Sequence, residues 1–211
     1  MRKLSAKPKA RRATYDRIAP FYDLLDLPFE YGRYRAIRPL VFSEVNEARQ
    51  LLDCGIGTGR NIPYYPEGSH VSGIDLNAGM LRRAARRATK LERNVNLVQG
   101  DVLGLPFATN SFDAATATFL FCVLPNKLQQ AALVEMSRVV KPGGTLVLLE
   151  YTRSQDPARA RSQDLWAPWV RFAYGAAFDR ETARHAEKAG LHIEDARHVH
   201  SDILLQLKIR N

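Results

Sequence analysis

The chain has little that could staple it or anchor it. Only two cysteines, Cys54 and Cys122, occur in 211 residues, and no metal-ligand spacing relates them. That excludes a disulfide scaffold and a structural zinc site, and two buried free thiols are expected instead. No apolar run approaches the ~18 residues that crossing a bilayer as a helix requires. The basic N-terminus is not followed by the apolar core of a secretory signal, so the chain is expected in the cytoplasm. Internal repeats and low-complexity linkers are missing too. A hydrophobic fraction of 45% with 25% charged residues is ordinary for a globular protein, which argues against wholesale disorder. The length suits one α/β domain with a substantial core, and not two.

Negative charge is scarce: 22 acidic residues face 31 Lys and Arg, for a formal net charge of +9. The excess is localised. Arg2, Lys3, Lys7, Lys9, Arg11 and Arg12 put six positive charges and no negative one into the first twelve residues. On the segment after Asp75, Arg82, Arg86 and Lys90 recur at i, i+4 and i+8, with Arg83 and Arg87 beside them, so a helix there carries a basic stripe. Such a stripe is either a solvated outer face or a surface attracted to anionic lipid.

Against this background one stretch stands out. Leu51-Leu52-Asp53-Cys54-Gly55-Ile56-Gly57-Thr58-Gly59 is an apolar strand that ends in an acid and runs into three glycines at alternate positions. Glycine tolerates positive φ and lets the main chain approach another molecule closely, as a tight strand-to-helix turn over a nucleotide requires. Val71-Ser72-Gly73-Ile74-Asp75 follows, a short strand whose terminal carboxylate suits a ribose diol. The G-x-G-x-G spacing departs from the G-x-G-x-x-G of nicotinamide-binding folds.

Four segments in order, "LLDCGIGTGRN", "VSGIDLNAGML", "VNLVQGDVLGLPFATNSFDAATATF" and "LVEMSRVVKPGGTLVLLE", resemble consecutive motifs of the class I methyltransferases that use S-adenosylmethionine. The entry run "YDRIAPFYDLLDLPFEYGRYR" resembles that of quinone-biosynthesis methyltransferases and of bacterial phospholipid N-methyltransferases. The resemblance implies a Rossmann-like α/β fold: a seven-stranded, mostly parallel sheet with helices on both faces and an antiparallel last strand. Residues 1–45 would form a basic tail and helical cap. Residues 46–211 would form the methyltransferase domain, with an aromatic and basic lid near 153–178 in which Trp166, Trp169, Val170, Phe172 and Ala173 share one side of an interrupted helix.

The alternating pattern predicts strands at 50–54, 70–75, 95–100, 112–117 and 145–150. Helices are expected after Gly59, over 78–93 behind an Asn77 cap, from Asn126, and over 181–189; Pro142-Gly143-Gly144 reads as a turn. The last two strands meet at a tight turn over residues 200–202.

The resemblance also implies the site. Gly55, Gly57 and Gly59 would admit the methionine and ribose parts of S-adenosylmethionine, and Asp53 would orient the loop or receive the ammonium through water. Asp75 would hold the ribose hydroxyls, Leu76 and Met80 would flank the adenine, and Asp101 and Val102 would meet its amino group and ring edge. Phe119 would line the sulfonium side, and Tyr15 and Tyr22 would border the methionine. Candidates for a base are Tyr22, Tyr151 and the pair His198 and His200; no metal site is expected. The leading acceptor is the amine head group of a phospholipid, phosphatidylethanolamine, at the inner face of an anionic membrane touched by Trp166, Trp169, Arg82, Arg86 and Lys90. The alternatives are C-methylation of a quinone precursor, S-methylation of a small thiol, and a cofactor-binding adaptor without catalysis. Nucleic acid is not expected, since an N/D-P-P-Y/F motif after the fourth strand is lacking.

Overall fold

The computed structural model describes residue 32 and residues 34–211; the basic tail, Tyr15 and Tyr22 lie outside the described residues. The elements in chain order are α1 (Arg35–Ser43), β1 (Gln50–Cys54), β2 (His70–Asp75), α2 (Ala78–Lys90), β3 (Val95–Gln99), β4 (Phe112–Thr118) and α3 (Asn126–Val139). They are followed by β5 (Val140–Tyr151), α4 (Pro157–Tyr174), α5 (Thr182–Lys188), β6 (His192–His200) and β7 (Leu204–Arg210). The seven strands form one sheet in the order β3-β2-β1-β4-β5-β7-β6. Five run parallel, while β7 is antiparallel to both β5 and β6. The expected Rossmann-like architecture is therefore present. Its order reverses between β1 and β4, so the crevice beyond their carboxyl ends is where a ligand is accommodated.

Both faces of the sheet are covered, and two cores result. Leu52, Ile74, Ala115, Leu146 and Leu148 pack with Leu128, Leu133 and Met136 of α3 and Ala186 of α5. On the other face, Leu51, Val71, Ala114 and Val147 pack with Ile37 and Val41 of α1 and Leu81 and Ala84 of α2. β1 and β4 are buried on both faces, so neither shows the alternation of a half-exposed strand.

Three local expectations are corrected. The helix anticipated after Gly59 is a single 3-10 turn at Ile62–Tyr64, with Pro63 near its start and Tyr65 already extended. β5 begins at Val140 and carries Pro142-Gly143-Gly144 inside it, where a separate turn was expected. A register shift against β4 between Phe112 and Ala114, together with φ +76° at Gly143, absorbs those residues without breaking the strand. The lid helix runs unbroken from Pro157 to Tyr174 despite Pro168, where an interrupted helix was expected. The Asn77 cap and the tight turn before β7 are as expected: Asn77 Oδ1 accepts the Met80 N–H at 3.0 Å, and Ser201 adopts φ +46°.

Candidate functional site

The loop after β1 is tied to β2 from below. The N–H groups of Gly55 and Ile56 both donate to Ile74 O, at 2.8 and 3.1 Å. Gly55, Gly57 and Gly59 all have positive φ, but for different purposes. A Cβ on Gly59 would lie 2.6 Å from Ile62 Cδ1 and 3.1 Å from Ala84 Cα, so this glycine lets the loop pack on α2. At Gly57 the nearest atom is Gly55 O at 3.9 Å, leaving open space at the wall of the cavity for another molecule to approach the backbone.

Asp75 closes the loop. Its Oδ2 accepts the Gly57 N–H at 3.0 Å and its Oδ1 the Asn77 N–H at 2.8 Å. Burial pushes the carboxyl up to about 6, against the pull of those N–H donors. The Leu76 N–H is a third donor, and a carboxylate with about four acceptor sites keeps room for a further one, such as a hydroxyl of a vicinal diol.

Asp53 lies below this level, fully buried and absent from the cavity wall. It accepts from Tyr65 OH at 2.5 Å, Asn61 Nδ2 at 2.9 Å and Thr116 Oγ1 at 3.2 Å. Arg38 Nη1 of α1 donates to Asn61 Oδ1 at 2.5 Å. Burial raises the Asp53 carboxyl, and the three donors and the Arg38 charge oppose that rise. The network ties the segment after the glycine loop to β4 and α1. Sequence reasoning passed over Arg38, Asn61 and Tyr65. Only Asn61 adjoins the glycine motif; nothing local marks the other two.

Above these elements lies a cavity of about 790 Å³, within the ~300–1,000 Å³ usual for small-molecule sites. One half is walled by Gly55, Gly57, Asp75, Leu76, Met80, Asp101 and Val102, the residues expected to hold a cofactor. The other half is aromatic: Tyr34, Phe119, Tyr151, Trp166, Trp169, Tyr174 and Phe178. Phe119 packs in tilted contact against both Tyr34 and Tyr151, with ring centroids 4.6 and 5.5 Å away, and Tyr151 meets Phe178 edge-on at 5.4 Å. The Tyr34 and Tyr151 hydroxyls hydrogen-bond to each other, and the Arg38 guanidinium lies 5.9 Å from the Phe119 ring centroid. Tyr34 is another residue that sequence reasoning missed.

Phe119 holds φ +58°, an uncommon conformation for a side chain of that size. Glu150, buried beneath it, accepts the Phe121 and Cys122 N–H groups at 2.7 and 2.8 Å and so fixes the turn. Burial pushes Glu150 up to about 8. Both cysteines are buried, and burial raises each thiol well above its ordinary value, which disfavours a nucleophilic thiolate.

The remaining candidates lie elsewhere. Arg82, Arg86 and Lys90 are exposed on α2 and do not line the cavity. His198 and His200 sit on the edge strand β6, away from the wall, with a register shift between them. Among the described residues no group of three or more His, Cys, Asp or Glu is placed to hold a metal ion.

Comparison with known proteins bears on this geometry. A model of a methyltransferase domain matches residues 51–144. A demethylmenaquinone methyltransferase of Renibacterium salmoninarum is 37% identical over 153 residues, covering 71% of this chain and 62% of that protein. A ubiquinone/menaquinone biosynthesis C-methyltransferase of Syntrophotalea carbinolica is 38% identical over 159 residues, covering 71% and 64%. The chain thus spans just over three fifths of the length of these two relatives. It spans 73% of a demethylmenaquinone methyltransferase of Thermobifida fusca, at 34% identity over 175 residues and 79% of this chain. Among solved structures, a methyltransferase from Methanosarcina mazei superposes with a TM-score of 0.63 at 21% identity, covering 77% of this chain and 92% of that one, which speaks to the fold. With identity at this level over most of a full-length relative, the chain belongs to the class I S-adenosylmethionine-dependent methyltransferases.

Proposed function

We propose that the protein binds S-adenosylmethionine in the half of the cavity walled by Gly57, Asp75 and Asp101, and methylates a ring carbon of a hydroxylated aromatic acceptor of the quinone-precursor kind. The observation that carries the acceptor is the composition of the other half. It is built from aromatic rings, with the Tyr34–Tyr151 hydroxyl pair and the Arg38 guanidinium at hand. Among the described residues, the only carboxylates in the cavity wall are Asp75 and Asp101, both in the cofactor half. An ammonium head group would find cations and rings there but no counter-charge. A flat phenolic ring finds stacking partners and hydroxyl donors. The relatives named for demethylmenaquinone and for C-methylation favour the same choice over a phospholipid amine.

The residues fit the cofactor: the space at Gly57 admits close contact, Asp75 keeps acceptor capacity for a ribose hydroxyl, and Leu76, Met80 and Val102 offer apolar walls to a purine. When bound, it supplies an electrophilic methyl group on a sulfonium. The protein's part is to hold the acceptor carbon in line and keep water out, and such positioning is worth about 7–11 kcal/mol in favourable cases. A ring carbon becomes nucleophilic when the adjacent hydroxyl loses its proton. Tyr151, hydrogen-bonded to Tyr34, is placed to orient the acceptor hydroxyl and to relay its proton to bulk water, and Arg38 favours the resulting anion. The exposed stripe of Arg82, Arg86 and Lys90 supports a peripheral association with anionic membrane at the cytoplasmic side.

The test is transfer of labelled methyl to a short-chain hydroxynaphthoquinone in its reduced form, with phosphatidylethanolamine vesicles and a small thiol in parallel. Label on the ring carbon, reduced about 10²-fold or more in kcat by Tyr151→Phe, is the expected result. Label on the lipid amine would overturn the acceptor, and cofactor binding without transfer to any of the three would favour the adaptor reading.

A further inference from the structure

The helix α4 turns its large apolar side chains outward. Most surface helices turn an apolar stripe inward and a polar one to water. In α4, Leu165 and Phe172 are 77% and 73% exposed, and Trp166 and Trp169 are 57% and 42% exposed. Arg161, Leu165, Pro168 and Phe172 fall at i, i+4, i+7 and i+11 and so form one outward stripe, with Trp169 on its flank. Only Gln163 and Ala173 of the helix are buried. Gln163 works as a polar tether: its Oε1 accepts the Ser154 N–H at 2.8 Å and its Nε2 donates to Thr152 O at 2.9 Å.

Local chemistry makes the helix without a packed underside. Asp156 caps the N-terminus through the Arg159 N–H at 2.9 Å, and Gly175 at φ +67° ends it. Other exposed large apolar residues, such as Leu40 and Val134, stand singly on different elements and need no partner. Four on one helix form a patch, and a patch of this kind marks an interaction surface.

Its chemistry says what covers it. Arg161 lies on the stripe and Arg171 at its margin, and neither guanidinium meets a carboxylate among the described residues. Indoles beside aliphatic and phenyl side chains with unpaired arginines at the border match the boundary between acyl chains and anionic head groups. The same helix walls the cavity through Trp166, Trp169 and Val170, so its outer face and the mouth of the site are continuous. We infer that the outward face of α4 inserts into the interface of an anionic lipid bilayer, so that the cavity beneath it opens toward the membrane and takes its acceptor from there.

This names a surface for the membrane association proposed above and rests on that reading, but not on the identity of the methyl acceptor. The test uses binding alone. Trp166 and Trp169 are the only tryptophans in the chain, so intrinsic fluorescence reports on α4 directly. With the full chain and vesicles of phosphatidylglycerol and phosphatidylcholine, the emission shifts to the blue and is quenched by brominated acyl chains. The double variant Leu165→Glu with Phe172→Glu, neither of which lines the cavity, loses co-sedimentation at least tenfold while retaining cofactor affinity. Arg161→Gln with Arg171→Gln weakens binding to anionic vesicles about 30-fold, the conversion of about 1 kcal/mol for each charge. Retained co-sedimentation of the Glu variant, with binding abolished instead by Arg82→Gln, Arg86→Gln and Lys90→Gln, would overturn the role of α4 and leave membrane association intact. A wild-type protein that forms a dimer which the Glu variant breaks, with no spectral response to lipid, would assign the face to a second copy and overturn the inference.

Discussion

Asp75 is the residue at which the proposed cofactor site is most exposed to test, through pH. Its carboxyl sits near 6 because burial penalises the charge more than the Gly57 and Asn77 N–H donors restore it. Hydrogen bonds from a ribose diol strengthen when the acceptor is ionised, so the ligand prefers the carboxylate. Affinity for S-adenosylhomocysteine is therefore flat above about pH 7 and falls toward tenfold per unit below about 6. Asp75→Asn removes the charge and costs about 1.5–3 kcal/mol for a charged hydrogen bond, roughly 10- to 150-fold in Kd, and it removes the slope as well. Stability behaves differently. The carboxyl is raised in the fold, so its contribution is complete below the unfolded value near 4 and is lost as pH rises through about 6. At neutral pH the Asn variant escapes that loss, while one backbone N–H of Gly57 or Asn77 comes to face the amide nitrogen, at about 1 kcal/mol. The two effects oppose each other, and Tm should move little. Titration calorimetry from pH 5 to 8 on both proteins, with melting curves alongside, decides the matter. A slope that persists in the Asn variant, or a wild-type Kd that is flat from pH 5 to 7, refutes the assignment.

Other outcomes follow from the same geometry. Gly59→Ala drives a Cβ to 2.6 Å from Ile62 Cδ1 at φ +79° and should cost about 2–4 kcal/mol in chemical denaturation, whereas Gly57→Ala, with room around it, should cost only about 1 kcal/mol yet weaken cofactor binding more than tenfold. Equal stability losses in the two variants would contradict the division of labour between these glycines. Gln206, 1% exposed on β7, has neither its amide oxygen nor its nitrogen paired among the described residues, so Gln206→Leu should raise stability by about 1–2 kcal/mol in urea; a loss would mean that the amide is satisfied in solution. Glu150 is raised to about 8 in the fold, so its contribution is complete below about 4.5 and is lost as pH rises through 8. Between pH 7 and 9 the wild type should lose about 1 kcal/mol, or about 2–4 °C in Tm, and Glu150→Gln should lack that dependence.

The proposed cofactor half of the site was legible because it is local. Gly55 to Gly59 follow β1 directly, Asp75 ends β2 and Asp101 follows β3, so each lies where its own strand delivers it, at the carboxyl edge of a parallel sheet. The aromatic half was legible only in pieces. Trp166, Trp169 and Tyr151 drew notice by type, but Tyr34 meets Tyr151 across 117 positions of chain, and Arg38 reaches Asn61 across 23. No periodicity records a contact of that kind. For Asp53 two roles stood open, orienting the loop or receiving an ammonium through water, and only the packed structure shows it buried and hydrogen-bonded to Tyr65, Asn61 and Thr116.

The lid divides in the same way. Asp156, Pro157 and Gly175 bound its helix by local capping chemistry. Whether Leu165 and Phe172 face the core or the solvent depends on which side of the helix the sheet occupies, and an apolar stripe reads the same in either case. Backbone conformation and strand-end placement are short-range properties that neighbouring residues impose, so the sequence by itself determined the sheet, its glycine loop and its acids. The pairing of distant side chains, the buried carboxylates whose charge is costly, and the outward turn of α4 depend on which surfaces remain after the layers have packed, and only the tertiary structure decided them.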